Sequence, residues 1–557
     1  MEQKRLLLAI GLSFLVFFVW SIAFAPKRPE HPADQNQTLK SADIGEQKKE
    51  TSAPTPGAVE KDVAKTAEKT GAAVELTPSN KDARAITVET PLYRMTLSEN
   101  GGSVTSMILK DYRETVEADS PKKELISKEK RYGTALTSFG ADNSLEAAFF
   151  KADTATEKME VQGQPADLRF SYRTAEGVRI EKSYRFYPDS YLVDLNVNIN
   201  NESGQPIQGP LKVTLRKTMP SDALSYGFQG PSGLINGALE QVKIKDIEKT
   251  NQFNGTLQWI AIEELYFMES LISKKPDTGT MAIAYRDETL QNQMISETGE
   301  IASGASLNEA YSIFMGPKSI SVLKAADHDL DKAINFGWLE VIAKPCLYFM
   351  NFIHSYVPNY GIAIIILTII SRLIFWPLAT KSYKSMNDMR KLQPLMQEIR
   401  EKYKDDKARI NQETMALYRT YKVNPMGGCL PMLIQMPVFF ALYRMLYQAI
   451  ELRHAPFFGW INDLSAPDRL FNFSFKIPFM SPPYGIPVLT IIMGATMLLQ
   501  QKLSPQAGDP TQAKMMMLMP IVFTFIFINF PSGLVLYWLF SNLVSIGQQY
   551  YIMKRAA

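Results

Sequence analysis

The chain has 557 residues, of which 46% are hydrophobic and 21% charged, and its net charge is +3. So small a charge does not call for a nucleic acid partner, and two cysteines with four scattered histidines leave no disulfide framework and no zinc-ligand set. The mean hydropathy of −0.12 is that of a soluble protein, but it averages over apolar runs of membrane length.

Lys4 and Arg5 precede the first such run, Leu6 to Phe24. Ala23-Phe24-Ala25 imitates a signal-peptidase site, yet Pro26 fits the position after a cut poorly and the run is long enough to span. Residues 1–26 are therefore predicted to be an uncleaved signal anchor. Residues 27–84 are rich in Pro, Thr, Glu, Lys and Ala, with almost nothing to bury, and read as a disordered linker.

From 85 to 325 the pattern alternates with period two, as in Leu168-Phe170-Tyr172, Tyr184-Phe186, Val193-Leu195-Val197-Ile199 and Leu211-Val213-Leu215. Turn clusters at Glu99 to Gly102 and Asn200 to Gly204 separate the strands, which predicts a large antiparallel sandwich. In 326–358, Ile334, Trp338, Ile342, Phe349, Phe352 and Tyr356 recur at helical spacing. Residues 326–358 are therefore expected to form an interfacial amphipathic helix, with a linker helix packed on the sandwich as the alternative that the same spacing allows.

Residues 359–557 hold five further runs: Tyr360 to Ala379, Gly427 to Ile450, Ile486 to Gln500, Met515 to Phe530 and Leu534 to Ile552. The predicted architecture is thus a membrane α-helical bundle of six transmembrane helices, with an all-β domain on one side. Between the second and third runs, eleven Lys and Arg face six acidic residues, which places that loop in the cytoplasm and both termini with it. The same loop, 381–424, reads as a helical hairpin. Its helices are predicted at Ser382 to Tyr403 and Lys407 to Tyr421, with Asp406 as the second N-cap and Leu392, Leu395, Met396, Ile410, Met415 and Tyr418 as contacts.

Arg372 stands out within Ile362 to Pro377, about 13 Å from Lys381 along a helix at 1.5 Å per residue. None of the six runs contains Asp or Glu, so no ion pair inside the bundle is available to it. Two outcomes fit: snorkelling to the headgroups, or a wet cavity. Arg444, near the end of its run, is expected to snorkel. On the last run Tyr537, Ser541, Ser545 and Gln548 share one helical face, with Trp538 and Asn542 beside them and Gln435, Gln500 and Gln501 on other runs. These residues suit either ordinary interhelical hydrogen bonding or the lining of a polar groove. A soft apolar set stands apart from them: Met426 at the start of the third run with Met432, Met436 and Met445 inside it, and Met515, Met516, Met517 and Met519 in the fifth.

The stretches Asn424-Pro-Met-Gly-Gly-Cys-Leu-Pro-Met-Leu-Ile-Gln-Met-Pro-Val-Phe-Phe-Ala-Leu-Tyr443 and Phe530-Pro-Ser-Gly-Leu-Val-Leu-Tyr-Trp-Leu-Phe-Ser-Asn542 resemble the YidC family of membrane protein insertases. The resemblance implies an insertase core of five spans around a hydrophilic groove open to cytoplasm and lipid, and a periplasmic β-supersandwich similar to sugar mutarotases. It implies a substrate groove with its arginine at Arg372 and client contacts at Thr368, Tyr537 and Trp538, and a substrate slide along Cys429, Pro431, Met436 and Pro437; the polar set adds Gln435, Ser541 and Asn542 to the expected groove, and the methionine set adds Met517 to the expected slide. Relatives commonly carry Tyr at the position of Trp538, so no essential hydroxyl is expected there. The implied partners are nascent membrane proteins, the Sec translocon and the lipid bilayer, with the ribosome and signal recognition machinery as further candidates. The implied location is the bacterial inner membrane. No cofactor, metal or enzymatic chemistry is expected. A solute transporter would need paired ionisable groups near midplane, and a sugar epimerase a His with carboxylates in the sandwich; neither pattern is present in the sequence.

Overall fold

The computed structural model describes residues 83–126, 133–140, 143–220, 227–404, 406–423, 430–503 and 510–556. The expected anchor 1–26 and nearly all of the expected linker 27–84 lie outside the described residues.

The period-two segments form strands. Leu168 and Phe170 in Ala166–Arg173, Tyr184 and Phe186 in Val178–Phe186, and Val193, Leu195, Val197 and Ile199 in Leu192–Asn201 all turn into one core, while the intervening residues face out. The strands build a five-stranded and a twelve-stranded sheet. The larger one branches at Phe267–Arg286, a strand of 20 residues. Its first half pairs with Ser306–Pro317 and its second half with Thr289–Ser296, while Gln252–Glu263 runs along its other edge. A strand that changes partner midway bends the sheet around a core containing Trp259, Phe314 and Tyr93. Among the described residues the ladders are antiparallel as expected, with one exception: Thr87–Glu89 pairs in parallel with Lys158–Glu160.

The helices are α1 (Ile320–Ala326), α2 (Glu340–Tyr356), α3 (Tyr360–Ile374), α4 (Trp376–Lys391), α5 (Gln393–Lys402), α6 (Lys407–Thr420), α7 (Leu430–Gln448), α8 (Val488–Leu503), α9 (Pro510–Phe527) and α10 (Ser532–Ala556). Among the described residues no single helix is long and apolar enough to cross a membrane; α3 and α4 together are, with a bend of 63° between them. The bend departs from the continuous run expected to Ala379. Pro377, in the first turn of α4, has no N–H for the Leu373 carbonyl, and its ring excludes that carbonyl. Pro394 likewise divides the first expected hairpin helix into α4 and α5. Of the expected contacts between the two arms, Leu392 and Met396 are buried, whereas Met415 is exposed. The Asp406 carboxylate accepts from Arg409 N–H at 2.9 Å, and the Tyr418 hydroxyl donates to the Met396 sulfur at 3.4 Å.

Helix α10 packs against α3, α4, α7 and α8, and α8 pairs with α9. The α8–α9 crossing depends on Gly494, where a Cβ would overlap the Thr524 side chain, whose hydroxyl is committed to the Pro520 carbonyl at 2.7 Å. Gly494→Leu should therefore destabilise the helical region by about 1–3 kcal/mol, read as a lower unfolding temperature in detergent, with Ile491→Leu as a neutral comparison.

Helix α2 packs Ala343, Leu347 and Met350 inward, with α3 and α7 as its neighbours, while Val341, Phe352 and Tyr356 stay exposed. The β domain is fastened to the helices beyond the end of α7. The Arg453 guanidinium donates to the Arg113 and Glu114 carbonyls at 2.6 and 3.0 Å and lies over the Phe267 ring. Ser319 donates to Glu451 at 3.1 Å, and burial pushes the Glu451 carboxyl above its ordinary range. Arg444, expected to snorkel, donates to the Phe336 carbonyl at 2.8 Å and ties α7 to the segment leading into α2.

Candidate functional site

Arg372 lies in the last turn of α3, and its guanidinium reaches across to two other helices. Nε donates to Ser541 Oγ on α10 at 2.8 Å, Nη2 donates to the same oxygen, and Nη1 donates to Gln435 Oε1 on α7 at 3.0 Å. These acceptors are a hydroxyl and an amide, both neutral. A cation held by dipoles keeps its full charge for a further anion, which a carboxylate partner would have cancelled. The spacing on the last run sets Ser541 on a polar face; the structure brings that face to Arg372, and the contact with Gln435 joins α7 to the pair.

Around this junction α10 presents a buried polar layer: Tyr537, Ser541, Asn542, Ser545, Gln548 and Gln549. Asn542 donates to Thr496 on α8 at 3.3 Å, and Gln548 to the Trp376 carbonyl at 3.0 Å and Thr380 at 3.2 Å on α4. Ser545 donates back to the Ser541 carbonyl at 2.8 Å. Thr368, one turn before Arg372, is fully enclosed and donates to the Ile364 carbonyl at 2.6 Å. Trp538 lies on the neighbouring face of α10, edge-on to Phe439 and Phe527 with ring centroids 4.7 and 4.8 Å away.

The expected slide is placed in part. Met436 and Met517 are exposed, with Met516 and Met519 beside Met517, and Pro437 lies inside α7. Cys429 and the side chain of Pro431 lie outside the described residues. The structure thus joins Arg372, Gln435 and Ser541 directly, sets Tyr537 and Asn542 in the same layer, and leaves Thr368 and Trp538 outside that hydrogen-bond network.

One participant was missed in the sequence. Tyr383 on α4 faces Arg372 and hydrogen-bonds to Ser545 and Gln500. The charge pattern assigns it to the hairpin, because the basic residues that follow Lys381 mask the continuation of the helix. Thr380 and Tyr383, one turn apart, are the signal that a polar face runs on past the bend.

Two family models match the chain: the YidC periplasmic domain over residues 85–349 and the 60Kd inner membrane protein family over residues 352–557. Membrane protein insertase YidC of Syntrophus aciditrophicus is 41% identical over 562 residues, covering 100% of both chains. The protein of the same name from Pelobacter propionicus is 39% identical over 558 residues and covers 99% of each. A crystal structure of an active YidC insertase with its first transmembrane domain resolved aligns at 20% identity, covering 85% of this chain and 93% of that one, with a TM-score of 0.38. The chain belongs to the YidC family of inner-membrane insertases, with an all-β periplasmic domain.

Proposed function

We propose that the protein inserts nascent membrane proteins into the bacterial inner membrane through the polar layer centred on Arg372. The observation that carries this reading is the uncancelled guanidinium, held by Gln435 and Ser541 between three apolar helices. A client's short polar terminus enters beside Arg372 and the α10 face, which replace part of its hydration. Its apolar segment then leaves along the exposed methionines of α7 and α9, where flexible thioethers repack around different side chains. Burial of about 20 apolar residues in lipid supplies the driving force. No covalent step is involved.

In the full topology, six spans place both termini and the α5–α6 hairpin in the cytoplasm. The span formed by α3 and the first turns of α4 bends where Pro377 interrupts it. The hairpin receives the client or its targeting machinery, ribosome and signal recognition components included, and the β domain contacts the Sec translocon.

Photocrosslinking groups at Met436, Met517, Trp538 and Thr368, in protein presented with stalled nascent chains, test the route. Met436 and Met517 should give adducts with an apolar client segment. Thr368 should do so only where α3 and α10 part, because it is enclosed in this structure. Absence of adducts from all four positions sinks the route.

A further inference from the structure

Between α7 and α8 the chain forms a short hairpin, in which Leu470 pairs with Ile486 and Phe473 with Tyr484. The segment from Leu470 to Ile486 carries one charge, Lys476, and no acidic residue. Three of its phenylalanines point away from the protein: Phe471, Phe475 and Phe479 are 66%, 61% and 83% exposed. Phe471 and Phe479 do so from backbone φ angles of 60° and 64°, a region that non-glycine residues seldom occupy. In water this strain presents rings to solvent with no packing in return.

The hairpin is also held firmly. Arg469 donates to the Pro483 and Ile528 carbonyls at 2.8 Å each and to Asn529 Oδ1 at 3.2 Å. Asn529 in turn donates to the Phe479 carbonyl at 2.8 Å and accepts from Ser481 N–H at 2.8 Å. Asp468 accepts from Trp460 Nε1 and from the Leu489 N–H that opens α8. The rings are therefore fixed relative to the ends of α8 and α9, two helices that themselves expose Ile491 and Ile492 on α8 and Phe525 on α9.

We infer that this hairpin is a membrane-embedded wedge: Phe471, Phe475 and Phe479 enter the acyl-chain region of the leaflet on the β-domain side. The side follows from Arg453, which meets the β domain just beyond α7, where the chain enters this loop. The occupant follows from the lack of acidic residues, the outward rings and their attachment at the ends of α8 and α9, which expose apolar side chains of their own. The inference rests on reading those two helices as spans.

The test uses the full chain in phosphatidylethanolamine–phosphatidylglycerol vesicles, with Cys346 and Cys429 replaced by serine. A nitroxide is attached at Phe475→Cys or Phe479→Cys, and its collisions with oxygen and with a water-soluble nickel chelate are compared. Phe525→Cys supplies the lipid reference, and Lys249→Cys, whose native side chain is 80% exposed, supplies the aqueous one. The hairpin labels should match Phe525, with an oxygen-to-nickel ratio several-fold above that at Lys249. A ratio like that of Lys249 overturns the wedge, and so does shielding from both reagents, which would show a protein partner over the rings. A nickel-accessible Phe525 label overturns the span assignment itself. None of these readings depends on insertase activity.

Discussion

Arg372→Ala should lower the insertion of clients with an acidic translocated terminus about tenfold while leaving neutral-tailed clients within about twofold. At a separation of about 6 Å and an effective permittivity of about 40, a unit charge attracts a carboxylate by about 1.4 kcal/mol, which is that factor of ten. The estimate applies because the guanidinium is held by neutral oxygens of Ser541 and Gln435, so its charge is not already spent on an ion pair. Arg372→Lys keeps the charge but loses the fork that holds both acceptors, and should retain most activity on both client classes. Ser541→Ala and Gln435→Leu remove one tether each and should give intermediate losses confined to acidic tails. The measurement is protease protection of the translocated terminus in proteoliposomes, with and without a membrane potential, which adds about 2.3 kcal/mol per charge per 100 mV. An equal loss for both client classes would mean that Arg372 holds the helices together and does not attract the client.

The parts of this site that were legible in the sequence were those carried by a single helix. Tyr537, Ser541, Ser545 and Gln548 share a face by spacing alone, and Arg372 is conspicuous because an uncharged run surrounds it. The sandwich was equally legible, because a sheet with one buried face writes its orientation into every second residue, as at Leu168 and Phe170. What the sequence concealed was set by single residues or by distant backbone. Hydropathy windows pass smoothly over Pro377, yet that ring divides α3 from α4. Arg444 gives no hint that its partner is the carbonyl of Phe336, 108 residues earlier. The branch at Phe267–Arg286 is invisible to period-two reading, since changing partner at mid-strand leaves the alternation intact. Tyr383 was lost to a boundary drawn from charge, although the helix and its polar face run past that boundary.

A second large effect is expected in the β domain, where two buried ionisable groups oppose each other in pH dependence. The Glu269 side chain is enclosed in strand Phe267–Arg286, with no hydrogen-bond partner on either carboxyl oxygen, and burial pushes its carboxyl up to about 7 against the attraction of Lys217, with Glu264 adding to the rise. Its folded state therefore holds a proton that the unfolded chain releases near pH 4.5. The stability contributed by Glu269 is complete below that pH and is lost as pH rises through about 7, a change of roughly 3 kcal/mol. Lys182 runs the other way. It is fully buried, donates to the Gly101 carbonyl at 2.6 Å and lies over the Phe150 ring, and burial lowers its ammonium to about 7 with only Glu146 opposing. Its contribution is complete above pH 10.5 and falls away as pH drops through about 7, a change of roughly 5 kcal/mol. These two groups together place a minimum in the stability of the β domain near neutral pH. Glu269→Gln should therefore slow amide exchange in Phe267–Arg286 at pH 8 and leave it unchanged at pH 4, while Lys182→Met should slow it at pH 7 and lose that advantage above pH 10. Both variants retain the buried volume, so a uniform acceleration at every pH would mean that packing and not ionisation governs these positions.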